Sequence, residues 1–320
     1  MNVKFIAFDS FGVKSTCTQV RLNNFCITID PGIAIETASF PLSMDKRLSL
    51  VYKYKKKIEK SCMDSDVIII THYHYDHFIP DDKLYENKLL LIKDPKNNIN
   101  RSQFKRAKEF LSLIKGKTKK IEISDNKEFN FGKIKINFSE PLWHGVNKST
   151  LGYVLLVKIV DENTKLLFSS DLVGIYQEEY ADLIIRENPD ILIIDGPATY
   201  LLGYLVSYYN LAKNIINLCK IIDHVDSEII ILDHHLLRDY RYRDLLFEVY
   251  TKAKKLNKNV LTAAEYYKMK PKVLEGYEKS GPTKWKKWEV FTKKEIINVI
   301  QNAIENKLID KKWLNKAKEL

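Results

Sequence analysis

No apolar run in the 320 residues approaches the roughly 18 residues that a membrane-spanning helix requires. The chain therefore carries no segment expected to cross a bilayer as a helix. Met1-Asn2-Val3-Lys4-Phe5-Ile6 lacks the layout of a signal peptide and leads straight into a strand-like pattern. The four cysteines, Cys17, Cys26, Cys62 and Cys219, show no CxxC spacing. A two-residue hairpin turn at Asn23-Asn24 would set Cys26 opposite Arg21 and Cys17 opposite Asp30, so the two would not face each other. These features predict a reduced, cytoplasmic protein without a disulfide framework. Low-complexity tracts are missing, and no internal repeat is defensible from spacing. Histidine is scarce as well, with seven in the whole chain, which gives weight to any place where it concentrates.

The charge is unevenly placed. Residues 251–320 hold 18 Lys, no Arg and 8 acids, a net of +10 out of the total of +11. The first 250 residues are close to neutral, so any electrostatic argument about partners belongs to the C-terminal segment. At 45% hydrophobic the chain can bury a sizeable core.

Apolar periodicity predicts strands at Val3–Phe8, Thr18–Leu22, Phe25–Ile29, Val67–Ile70, Leu89–Ile92, Lys119–Ile123, Glu128–Phe131 and Lys133–Phe138. Further strands are predicted at Tyr153–Val160, Lys165–Phe168, Ile191–Ile194 and Ile229–Leu232. Helices are predicted over 46–62, 101–114, 176–187, 205–222, 239–257 and 292–318. Strand-rich stretches interleaved with helices predict sheets covered by helices on their outer faces. Glycine, proline and lysine mark a looser region beyond about 260, which divides the expected organisation into residues 1–260 and a basic, largely helical extension, 261–320.

The informative stretch is His72-Tyr73-His74-Tyr75-Asp76-His77, at the end of the apolar run Val67–Thr71. Side chains alternate along a strand, so His72 and His74 point the same way. Asp76 and His77, beyond the strand, are free to turn toward a second point nearby. Such spacing serves one metal ion or two adjacent ones, through a mixed nitrogen and oxygen set suited to zinc. Other apolar runs also end in a candidate ligand: Ile27–Ile29 in Asp30, Ile134–Phe138 through Pro141-Leu142-Trp143 in His144, and Leu166–Phe168 in Asp171. Ile191–Ile194 ends in Asp195 and Ile229–Leu232 leads to His234-His235. Polar groups repeated at strand ends describe a site on the rim of a sheet. His224, near a predicted helix end, reads as structural.

In this order, Asp30, the His72–His77 motif, His144, Asp171 and His234 or His235 resemble the metallo-β-lactamase superfamily over roughly residues 3–240. The Ile-Asp-Gly-Pro and Asp-His-His stretches are similar to those of an uncharacterised, mostly archaeal group of predicted metal-dependent hydrolases. The resemblance implies a four-layer αβ/βα sandwich of the α/β class, with two divalent metal ions on the rim. It assigns His72, His74 and His144 to the first ion and Asp76, His77 and a histidine of the 234–235 pair to the second, with Asp171 bridging. His234, first after the strand, is preferred over His235. Asp30 is placed to accept the outer N–H of a ligand histidine. The resemblance to superfamily ribonucleases around Asp190–Tyr200 pairs Asp195 with His235 as a proton donor; the competing view is a turn aspartate.

The expected function is that of a hydrolase, in which a metal-bound hydroxide oriented by Asp76 attacks a small ester, lactone, amide or phosphoester. Zinc is favoured, with iron or manganese able to use the same ligands. One alternative is a ribonuclease related to tRNA 3′-processing enzymes, with nucleic acid gripped by 251–320 through Tyr266, Tyr267, Trp285, Trp288, Trp313 and the lysines. Another is a nucleic-acid-binding protein whose metals are structural.

Overall fold

A computed structural model describes residues 1–280 and 290–320, with the side chains of 277–280 left out. Trp285 and Trp288 lie outside the described residues. The first half of the chain runs β1 (Asn2–Phe8), β2 (Thr16–Leu22), β3 (Phe25–Ile29), α1 (Met44–Met63), β4 (Val67–Ile70), β5 (Leu89–Ile92), α2 (Arg101–Leu113) and β6 (Lys120–Ile123). These six strands form one sheet in sequence order. Its first three strands are antiparallel, and β3 to β6 are parallel. The Asn23-Asn24 turn is present, with Leu22 opposite Phe25 and Arg21 opposite Cys26. Asn23 takes the left-handed φ of +51° that such a turn requires.

The second half continues with β7 (Glu128–Phe131), β8 (Ile134–Phe138), β9 (Leu142–Trp143), β10 (Tyr153–Val154), β11 (Val157–Val160), β12 (Lys165–Phe168), α3 (Glu178–Glu187), β13 (Ile191–Asp195) and α4 (Tyr208–His224). It ends with β14 (Ile229–Asp233), α5 (Tyr242–Leu245), α6 (Phe247–Lys255), β15 (Val260–Leu261), α7 (Ala263–Tyr266), α8 (Lys272–Ser280), α9 (Lys293–Glu305) and α10 (Lys312–Glu319). A seven-stranded sheet has the order β15-β14-β13-β12-β11-β8-β7, and β9 pairs with β10 alone.

Alternation in the second sheet explains the layering. Leu166, Phe168, Ile191, Ile193 and Ile231 join a core shared with the first sheet and with Tyr54, Ile58, Ala107 and Phe110 of α1 and α2. Their neighbours Leu167, Leu192, Ile194, Ile230 and Leu232 face the other way, onto α3, α4, α6, α9 and α10. The parallel register stacks Phe168, Ile193 and Ile231 on one side and Leu167, Leu192 and Ile230 on the other. Both faces of the sheet are thus buried, which is why its strands read as continuous apolar runs. The result is the four-layer αβ/βα sandwich, with basic helices added at the C-terminus.

Three expectations about elements change. The single strand Tyr153–Val160 divides at Leu155-Leu156. Leu155 donates its N–H to Thr71 O, while Leu156 O accepts from Ser139 N, so the chain passes from the short ribbon into the second sheet without a turn residue to mark it. The 239–257 helix is two, α5 and α6, which part at Leu246, and the 292–318 helix is also two, α9 and α10, separated by residues 306–311. The two-residue strands β9 and β15 and the helices α7 and α8 were not anticipated, since the two-residue strands and α7 are too short to show a period.

After β15, Ala263 N donates to Asp233 Oδ2 and Ala264 N to Ser10 Oγ. Phe5 N donates to Tyr267 OH. Trp313 of α10 is 5% exposed, with Lys213 Nζ 4.9 Å from its ring centroid. Trp313→Ala should cost about 3–5 kcal/mol, as large aromatic truncations in cores do. A thermal unfolding midpoint equal to that of the parent would contradict this packing.

Candidate metal centre

Strands β3 and β4 are parallel neighbours, so their C-terminal ends lie side by side, and this places Asp30 against the His72–His77 turn. Asp30, at a left-handed φ of +48°, accepts from Thr71 N at 2.8 Å and Thr71 Oγ at 2.7 Å. Its Oδ2 lies 2.8 Å from His77 Nδ1. The turn closes where His77 N donates to His74 O at 2.9 Å. It runs so close over Gly32 that a Cβ there would sit 2.1 Å from His77 N. Only glycine fits at that position.

The β9–β10 ribbon delivers His144, whose N–H donates to Gly152 O, and Gln177 Nε2 holds Gly145 O at 2.8 Å. Asp171 follows β12 after Ser170, which has φ +56° and a hydroxyl 2.6 Å from Thr71 Oγ1. The two sheets are thereby tied together beside the carboxylate. At the end of β14, Asp233 Oδ1 accepts from His234 N, and His234 turns at φ +62°. Asp195 ends the adjacent β13, opposite Asp233.

All residues singled out for the site meet here. Asp171 Oδ2 lies 2.7 Å from His144 Nε2, 3.4 Å from His72 Nε2, 3.4 Å from His77 Nε2 and 3.9 Å from His74 Nδ1. Its Oδ1 lies 3.6 Å from His234 Nε2 and 3.0 Å from His235 Nδ1. His234 Nε2 is 4.0 Å from Asp76 Oδ2. His235 Nδ1 is also 3.0 Å from Asp195 Oδ2. Ligand atoms converge in overlapping groups: His72, His74, His144 and Asp171; Asp171, Asp195, His234 and His235; Asp76, His77 and His234. His224 stands apart at the exposed end of α4, with Nδ1 2.8 Å from Lys220 O.

Sequence reasoning missed three members of the cluster. Asp9 closes β1 as Asp30 closes β3, and its Oδ2 is 2.7 Å from His234 Nδ1. Arg238, on the 3₁₀ turn His234–Arg238, donates Nε to Asp9 Oδ1 at 2.6 Å. Glu36 is buried with neither carboxylate oxygen hydrogen-bonded.

Burial pushes Asp171 upward, but His144 and His235 outweigh it and hold the carboxyl well below the usual range. Burial likewise raises Asp76, against His77, His234 and Arg238, which bring it far down. Burial lowers His72, assisted by His77. In His77 burial is overcome by Asp30, Asp171 and Asp76, which lift it to about 10. His234 rises in the same way, against burial, through Asp9 and Asp171. Burial raises Asp195 despite the pull of His235. A divalent cation among these groups would displace the protons that the carboxylates draw onto the imidazoles.

The donor set fits such cations. His77 Nε2, His144 Nδ1, Asp171 Oδ1 and His234 Nε2 are buried with no hydrogen-bond partner. Orphaned polar atoms are costly, and these four belong to residues grouped around one carboxylate.

Glu36 offers a test by pH. Burial, then Asp9, push its carboxyl from 4.5 to about 8, against Arg238 and Lys14. The folded chain therefore takes up a proton at Glu36 between those values, and stability falls as pH rises through the window. Glu36→Gln removes this slope. Its stability advantage over the parent should grow from pH 5 to pH 8.5, measured by chemical denaturation with chelator present. Parallel curves would contradict the assignment.

Two stacked mixed sheets flanked by helices, with His/Asp clusters sharing Asp171 on their rim, define a metallo-β-lactamase-fold protein whose site is of the binuclear kind. The chain belongs to the UPF0282 family. It is 40% identical over 286 residues to a UPF0282 protein of Saccharolobus islandicus, covering 87% of this chain and 92% of that one. Its identity to the UPF0282 protein of Methanocaldococcus jannaschii is 39% over 292 residues, covering 87% and 96%. No family model matches the chain. Among solved structures, the metallo-β-lactamase fold protein YhfI from Bacillus subtilis is similar at 18% identity and a TM-score of 0.44, covering 69% of this chain and 78% of that one.

Proposed function

We propose that the protein is a metal-dependent hydrolase carrying two divalent ions, zinc by the balance of its nitrogen and oxygen ligands, with iron or manganese able to take the same places. His72, His74 and His144 would hold the first ion. Asp76, His77 and His234 would hold the second, and Asp171 would serve both. The observation that carries this reading is that three ligand atoms at the centre, His77 Nε2, His234 Nε2 and Asp171 Oδ1 between them, are buried without hydrogen-bond partners. When bound, such a pair supplies activation of water and polarisation of a carbonyl or phosphoryl oxygen.

The chain's own groups do the rest. The Asp76 carboxylate, 17% exposed in its side chain, orients the attacking water and accepts its proton. His235, held by Asp195 and 11% exposed, delivers a proton to the leaving oxygen or nitrogen. Asp30 fixes the His77 tautomer through Nδ1, and Asp9 does the same for His234. The substrate is a small ester, lactone, amide or phosphoester. The four cysteines are free and buried, in keeping with a reducing, cytoplasmic setting.

A purely structural role for the metals fits less well, because structural sites close their coordination with protein ligands. Seven ligands shared by two ions leave positions open. The nucleic-acid reading loses support at Trp313, whose burial removes it from base stacking.

Elemental analysis of the purified protein, followed by a screen of lactones, aryl esters, phosphodiesters and tRNA precursors, tests the proposal. About two equivalents of metal and turnover of a small substrate are expected. Absence of bound transition metal, or cleavage of tRNA precursors alone, would overturn it.

A further inference from the structure

We infer that Arg238 is the positioning residue for the second ion's half of the centre, facing Asp76 at ion-pair distance and holding His234 through Asp9. The inference rests on the two-ion reading above and concerns Arg238, a residue to which that reading gives no part.

Arg238 Nε donates to Asp9 Oδ1 at 2.6 Å, and Asp9 Oδ2 lies 2.7 Å from His234 Nδ1. From the same guanidinium, Nη2 lies 3.6 Å from Asp76 Oδ2, and Nη1 donates to Tyr200 OH at 3.3 Å. One planar group therefore addresses both a carboxylate ligand and the carboxylate that orients an imidazole ligand. The side chain of Arg238 is 7% exposed and that of Asp9 is fully buried. Asp9 is further fixed by the N–H of Ser15 at 3.1 Å.

The arrangement is also a latch between sheets. Asp9 opens the 3₁₀ turn Asp9–Phe11 between β1 and β2 of the first sheet. Arg238 and His234 lie on the turn after β14 of the second sheet. Asp76 and His77 come from the first sheet, so this half of the centre is assembled from both. His77 is anchored separately, by Asp30. His72, His74 and His144 make no contact with Arg238 among the described hydrogen bonds and ion pairs. Loss of Arg238 should therefore fall on one ion and spare the other.

A lysine could not substitute. Its ammonium is a point charge on a flexible stem, whereas the guanidinium presents Nε and Nη2 in a fixed fork. The positive charge of Arg238 does oppose a nearby cation, but it is met by Asp9 and Asp76 on either side, with Glu36 also acting on it. Its removal would leave Asp9 buried with His234 and the Ser15 amide alone.

The test is chelator-competition titration of zinc into wild type, Arg238→Met, Arg238→Lys and Asp9→Asn, with cobalt substitution to read the two sites by their visible spectra. In both Arg238 variants the second ion's affinity should fall about 10–100-fold, the usual effect of removing an outer ligand partner, while the first ion stays within about twofold. Asp9→Asn should act on the same ion. The double variant Asp9→Asn with Arg238→Met should lose no more than the worse single one, because the two residues act in one chain. Retention of the first ion reports an intact fold, and Arg238→Lys keeps the charge where Arg238→Met unfolds. Equal losses at both ions, unchanged affinity or tighter second-ion binding in Arg238→Lys would each overturn the inference while leaving the two-ion reading in place. A wild type that binds fewer than two ions would sink that reading and the inference with it.

Discussion

Asp171→Ala should empty both ion sites at once. The carboxylate is 1% exposed, and its two oxygens approach six imidazoles: Oδ2 those of His72, His74, His77 and His144, Oδ1 those of His234 and His235. Asp76 gathers with His77 and His234, Asp30 with His72 and His77, and Asp195 with His234 and His235, so none of them joins His74 and His144 as Asp171 does. No other carboxylate among the described residues can take the shared position. Loss of a direct ligand exceeds the 10–100-fold cost of an outer partner, so metal content should drop from about two equivalents to well below one, and hydrolysis with it. Circular dichroism should stay unchanged, because the strands that carry the ligands are held by apolar packing on both faces of the sheet. Undiminished metal in this variant would remove the bridge from the assignment.

The second large effect separates adjacent histidines. His234 has Nδ1 committed to Asp9, and its Nε2 is buried without a partner beside Asp76 and Asp171. His235 has Nδ1 placed equally, at 3.0 Å, between Asp171 Oδ1 and Asp195 Oδ2. We propose the first as a ligand and the second as a proton carrier. His234→Ala should lower metal content by up to half. His235→Ala should retain metal and slow turnover by about 10²–10⁴-fold, the usual scale of general acid–base catalysis. The loss should be greatest for substrates with poor leaving groups, which need the proton most. Asp195→Asn should follow His235→Ala in both respects. If metal falls in His235→Ala and not in His234→Ala, the two roles must be exchanged.

Much of this was legible in the sequence, for identifiable reasons. The strands are buried on both faces or alternate cleanly, so Val67–Ile70, Leu89–Ile92, Lys165–Phe168 and Ile191–Ile194 stand out as runs of strand length. Parallel pairing brings their C-terminal ends together, which is why residues as distant as Asp30, His72, Asp171, Asp195 and His234 could be gathered from strand endings read in order with the His72–His77 motif. The same rule, applied to Phe5–Phe8, points to Asp9, which was passed over. Arg238 has no such signal. Its role depends on the left-handed turn at His234, and that backbone conformation is written in no residue preference, since the position is not glycine. Glu36 sits in a connection without periodicity, so neither its burial nor its closeness to Asp9 and Arg238 could be foreseen. The passage of Leu155-Leu156 from ribbon to sheet was hidden for the opposite reason, because an unbroken apolar run shows no boundary.

The central claim is that two ions share Asp171. Anomalous diffraction from crystals of the purified protein, recorded across the absorption edge of the bound metal, tests it most directly. The account predicts two peaks about 3.5–4 Å apart, as in two-metal hydrolytic sites. One should be ringed by His72, His74 and His144, the other by Asp76, His77 and His234, with Asp171 between them. A lone peak held by Asp195 and His235, or no peak near Asp171, would contradict it.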